Sequence, residues 1–230
     1  MKEDVRAQHF LRNPKKKIDL SKDTLKVFVI TLLTCYFLVI LLSFVAASSN
    51  NMLPEPAIKE TTPDMFGQIT VFLTLVIAGP FVEEVIFRMP MDGRKISIAT
   101  SLATLTFLFA HPLSLFFEES ISWFGLIRTL GLSVGMFLFV LAGSKYIEPY
   151  FTIFSRNHLI YLLTFLFAVF HITNFENLHF WYTPVYIIMV LPQLALGGHL
   201  AFIRLNMGFW ASVIFHCLFN LPSAIFLYNQ

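Results

Sequence analysis

The stretch FVEEVIFRMP at 81–90 sets two adjacent carboxylates, Glu83 and Glu84, and a guanidinium, Arg88, in an otherwise apolar run. Ionisable groups in such surroundings are costly to place and more often mark function than packing. If the run is helical, neighbouring side chains diverge by about 100°. Glu84 and Arg88, four residues apart, then share a face and can pair. Glu83 shares its face with Phe87 and has no partner within its own helix. One acid is thus neutralised and structural, while the other is left to act as a general base or acid. A charge cluster that only packs helices would account for Glu84 with Arg88, but less well for Glu83.

Further groups recur at the same spacing. FAVFH places Phe167 and His171 on one helical face, and HCLFN does so for His216 and Asn220. FLFAH at 107–111 puts Phe107 and His111 in the same relation. Histidine can exchange a proton or position water near neutral pH. Asparagine can donate hydrogen bonds to a developing oxyanion. A carboxylate base, an orienting histidine and a donor pair are the parts needed to hydrolyse an amide with an activated water. On spacing alone, either His171 or His111 fits as the partner of the carboxylate. His199, alone in its run, reads as a satisfied polar residue. Cys35 and Cys217 have no CxxC partner and read as small apolar packing residues.

The elements that must position these groups are apolar. The chain of 230 residues is 57% hydrophobic and 13% charged, with a mean hydropathy of +0.72. A soluble domain is usually about 45–50% apolar and about 25% charged, so the composition points to a membrane protein. A spanning helix needs about 20 mostly apolar residues. Runs near 27–47, 66–88, 97–117, 122–143, 157–174, 184–203 and 208–227 meet that need. The expected fold is all-α: a polytopic integral membrane protein of about seven transmembrane helices with an intramembrane active site. The expected organisation is a basic N-terminal tail, 1–26, and one transmembrane helical domain, 27–230.

Orientation follows from the basic residues, which favour the cytoplasmic side. The tail holds eight Lys and Arg, and alternate loops carry Arg94 with Lys95, Lys145 with Arg156, and then Arg204. The opposite loops hold Glu55, Glu60, Asp64, Glu118, Glu119 and Glu176, with Lys59 as their one Lys or Arg. The N-terminus is therefore expected in the cytoplasm and the C-terminus outside. The first run is longer than a signal-peptide core, which spans about 7–15 residues, so it reads as an uncleaved helix. The short loops and basic tail suggest a bacterial inner membrane.

Taken in order, EEVIFR, FAVFH and HCLFN resemble the motifs Glu-Glu-x-x-x-Arg, Phe-x-x-x-His and His-x-x-x-Asn. These belong to the CAAX protease and bacteriocin-processing (CPBP, or Abi) family of intramembrane glutamic endopeptidases. The resemblance spans about 66–225 and includes LPQLALGGHLAFIRLNMGFWASVIFHCLFN between the second and third motifs. Because that tract follows FAVFH, the resemblance assigns the second motif to His171 and leaves His111 as its alternative. His111 then lies in a helical pair inserted at about 97–143, and an insertion of two spans preserves chain direction. Met89-Pro90 stands where the family often has Gly after the Arg, and Pro90 is expected to end the helix early. By resemblance, Glu83 activates water with the help of His171, and His216 and Asn220 stabilise the oxyanion. Glu84, Arg88 and Phe167 would support the site.

The implied activity is cleavage of a membrane-associated peptide or protein in the bilayer, similar to CAAX prenyl processing. No cofactor and no nucleic-acid partner are expected. A zinc site built from Glu83, His171 and His216 is a weaker alternative, since HExxH is absent and the two histidines come from separate helices. A proton-coupled transporter would need a continuous polar pathway, and inverted repeats are common in such carriers; the polar residues here are few and no repeat is evident. A non-catalytic membrane protein of the bacteriocin-immunity type is the third class.

Overall fold

The computed structural model describes residues 20–48, 65–110, 123–153, 156–174 and 183–228. Most of the basic tail, the loop that holds Pro54, Pro56 and Pro63, and His111 lie outside them. The described residues form helices, with no strand among them. α1 (Leu20–Ser48) is followed by α2 (Met65–Leu73), a π-helical turn (Thr74–Ala78) and α3 (Gly79–Phe87). A 3-10 turn (Met89–Asp92) leads to α4 (Lys95–Ala110) and α5 (Trp123–Ile153). Then come α6 (Arg156–Phe170), a 3-10 turn (His171–Asn174), α7 (Thr183–Met189), α8 (Leu191–Met207) and α9 (Phe209–Tyr228).

Each predicted apolar run overlaps a helical stretch, but the borders differ, and residues 111–117 of the third run lie outside the described residues. α1 begins at Leu20, inside the expected tail, and α5 continues to Ile153. The run at 184–203 is divided at Val190, whose φ of −93° and ψ of 5° leave the helical region. Pro192 explains the break, because its ring clashes with the carbonyl four residues back and it has no N–H. Among the described residues, three helical stretches are long and apolar enough to cross a membrane: Gly67–Asp92, Gly125–Gly143 and Asn157–Asn174. Shorter apolar helices cover Phe28–Leu41, Lys95–Ala110 and Phe209–Ile225.

α3 lies at the centre, packed against α4, α6 and α9, while α8 backs α1, α6 and α9. α4 and α5 pack mainly on each other. Their attachment to the rest includes a hydrogen bond from Ser101 Oγ to Ile86 O at 2.6 Å. A buried cluster of Cys35, Ile86, Phe87, Phe167, Leu196 and Leu200 sits behind the carboxylates. Cys35 also donates its thiol hydrogen to Pro192 O. The distribution of polarity is inverted from that of a water-soluble protein. Glu84, Arg88, Ser212 and His216 are buried, whereas Ile30, Phe37, Phe139, Tyr161 and Trp210 are more than half exposed. Apolar side chains outside and polar ones inside suit a hydrocarbon surround.

Candidate active site

α3 ends as soon as it has delivered the EExxxR residues. Arg88 caps it at φ −107°, the Pro90 turn follows, and Gly93 reverses the chain with a φ of 73°. That positive φ favours glycine. Asp92 closes the start of α4 by accepting from Arg94 N–H at 2.8 Å and Ser97 Oγ at 2.9 Å. Arg204, at the end of α8, reaches across to the same place. Its Nη2 meets Asp92 Oδ2 and its Nε donates to Arg88 O, each at 3.3 Å. The residue expected only to set orientation thus also ties α8 to the end of α3.

The two glutamates occupy different surroundings. Glu84 is fully buried. It accepts from Ser212 Oγ and from His216 Nδ1, the latter at 3.0 Å, and its Oε1 lies 3.8 Å from Arg88 Nε. Arg88 is also fully buried, and its guanidinium carbon stands 4.1 Å above the centre of the Phe167 ring. That is cation–π geometry. Its nitrogens have no hydrogen-bond partner among the described residues. Gly197 makes this stack possible, because a Cβ there would lie 2.9 Å from Phe167 Cδ1 and 3.4 Å from Arg88 Nη2.

Glu83 is 23% exposed, and its Oε2 faces two imidazoles. His171 Nε2 is 3.8 Å away and His216 Nε2 is 3.6 Å away. Both separations exceed a direct hydrogen bond. The opposite ring nitrogens fix the tautomers. His171 Nδ1 is 2.8 Å from Phe167 O, and a carbonyl can only accept, so Nδ1 carries the hydrogen. His216 Nδ1 is directed at the Glu84 carboxylate and donates in the same way. In the neutral rings both Nε2 atoms therefore turn a lone pair toward Glu83. The Phe167 ring spaces the two imidazoles, with centroids 4.7 Å from His171 and 5.8 Å from His216.

The structure thus brings Glu83, His171 and His216 together and gathers Glu84, Arg88 and Phe167 behind them. Asn220 has a different contact: its Nδ2 donates to Leu75 O in the π turn at 3.1 Å. His199 departs from the expectation of a satisfied polar residue. It is buried against Phe28 and Phe215, and neither ring nitrogen has a hydrogen-bond partner among the described residues. Sequence reasoning missed Ser212, although it stands one turn before His216 and two before Asn220, a spacing that was available to find it. Among the described residues, no group of three or more His, Cys, Asp or Glu side chains has the arrangement of a metal site. No family model matches this chain, and the searches of curated proteins and of solved structures found no match.

Proposed function

We propose that the chain is an integral membrane endopeptidase that uses Glu83 to activate water against a peptide bond of a membrane-associated substrate. The observation that carries this reading is the convergence of Glu83 Oε2 with the Nε2 atoms of His171 and His216, while Glu84 is enclosed and tied off. Glu83 Oε2 and His171 Nε2, two acceptor atoms on one space, can hold a water by its two hydrogens. Glu83 removes one proton as the water oxygen attacks the carbonyl carbon, and His171 accepts a hydrogen bond from the remaining O–H and so orients the nucleophile. The carbonyl π electrons move onto oxygen. His216 can donate to that oxyanion when both of its ring nitrogens carry a proton. Collapse of the adduct breaks the C–N bond, and Glu83 returns its proton to the leaving amine.

The resemblance to the CAAX protease and bacteriocin-processing family supports the same assignment, as does the apolar exterior. Seven spans, a cytoplasmic N-terminus, an external C-terminus and a bacterial inner membrane complete the reading. The test is turnover of a cleavable membrane peptide by detergent-purified protein. Glu83→Gln should lower the rate by about 10²–10⁴-fold while the protein stays folded. Chelator should leave the wild-type rate unchanged. Equal turnover by wild type and Glu83→Gln overturns the role of Glu83. Loss of activity in chelator with recovery in zinc would move the mechanism to a metal-bound water.

A further inference from the structure

Pro80 interrupts an apolar helix three residues before Glu83. Within an α-helix its ring would clash with the carbonyl of Val76, and it supplies no N–H. The chain widens immediately before it into the π turn Thr74–Ala78. There the Gly79 N–H bonds to Thr74 O, five residues back. The fit is close, since a Cβ at Gly79 would lie 3.0 Å from that oxygen.

This pattern strands one acceptor. An α-helix would offer Leu75 O the N–H of Gly79, which is already committed to Thr74 O. A π-helix would offer the N–H of residue 80, which a proline does not have. The side chain of Asn220, from α9, donates to Leu75 O instead. We infer that Asn220 is a positioning residue: it supplies the hydrogen bond that Pro80 cannot, and so holds α3 in the rotation that turns Glu83 toward His171 and His216.

The rotation matters because π bulges insert one residue into the helical count. Closing the bulge would turn α3 relative to α2 by about 100°, the angle that separates adjacent side chains. That is enough to exchange the directions of Glu83 and its neighbour. Asn220 stands one turn beyond His216 on α9, so the helix that carries an imidazole to Glu83 also fixes the phase of Glu83 itself. The inference rests on Glu83 being the base, and it gives Asn220 a task different from the oxyanion donation that the resemblance implies.

The test is a double-mutant cycle of Asn220→Leu and Pro80→Ala, read by thermal unfolding in detergent and by turnover of the membrane peptide. Pro80→Ala returns an N–H to the backbone within reach of Leu75 O. Asn220→Leu should lower Tm by at least about 2–4 °C. It should lower kcat by about 10²-fold, with KM little changed, as expected of a misplaced base. Adding Pro80→Ala should recover part of both losses. If Asn220→Leu does not fold, recovery of folded protein by Pro80→Ala reports the same coupling. A direct oxyanion donor predicts lost turnover at unchanged Tm, with no rescue by Pro80→Ala, and that result overturns the inference. The unfolding arm does not depend on proteolysis. A wild type that cleaves nothing would refute the endopeptidase reading, while the coupling between Asn220 and Pro80 would still be decided.

Discussion

Glu84→Gln should be among the most damaging substitutions of a single atom in this chain, and the damage should fall on stability. Glutamine keeps acceptor and donor groups next to Ser212 and His216 but removes the charge opposite Arg88. The guanidinium is fully buried, without a hydrogen bond to any described residue, so Glu84 is its main compensation. Removing one partner of a buried ion pair costs about 3–5 kcal/mol. For a chain of this size each kcal/mol moves Tm by about 2–4 °C, which gives a fall of about 6–20 °C. Replacing both charges, Glu84→Leu with Arg88→Met, should recover much of that fall. The recovery is incomplete because His216 Nδ1 loses its acceptor, whereas Ser212 keeps Leu200 O at 3.1 Å. One unsatisfied buried group costs about 1–3 kcal/mol, leaving the double variant about 2–12 °C below wild type. Glu83→Gln should stay within about 2 °C of wild type in the same assay. Unfolding in detergent, followed by tryptophan fluorescence, checks all three. A double variant no more stable than Glu84→Gln would refute the account of Arg88 as an uncompensated charge.

His171→Ala should abolish peptide turnover while His111→Ala leaves most of it, and the opposite result would move the site onto the third apolar run. Gly197→Ala should destabilise by about 1–3 kcal/mol through overpacking against Phe167, measured as a lower Tm. Reporter fusions after Gln230 should read as external, and a cytoplasmic reading would refute the seven-span outline.

The helices were legible in the sequence because lipid-facing and buried positions are both apolar, leaving long runs cut only by charge and proline. The meeting of Glu84 with Arg88 was legible too, because it follows from their spacing of four. What was not legible depends on the third dimension. Ser212 looks like an ordinary small residue until α9 meets α3. Arg204 obeys the rule for basic loops, which hides its reach to Asp92 and to Arg88 O. The π turn left a trace in the Gly79-Pro80 pair, a helix-breaking dipeptide inside an apolar run. Its effect on the phase of α3 could not be read, since periodicity is counted by assuming an unbroken helix. His199 escaped because a polar residue in a span is expected to find a partner, and its surroundings are aromatic.

Phe167 leaves little freedom of size. A smaller aliphatic side chain would open a gap beneath the Arg88 guanidinium and between the two imidazoles, and a larger indole would run into the backbone at Gly197. Tyrosine would press a hydroxyl into the same crowded shell. In a saturation library selected for turnover, position 167 should therefore return phenylalanine almost alone. The outward positions of α5, such as Phe139, should accept most apolar replacements.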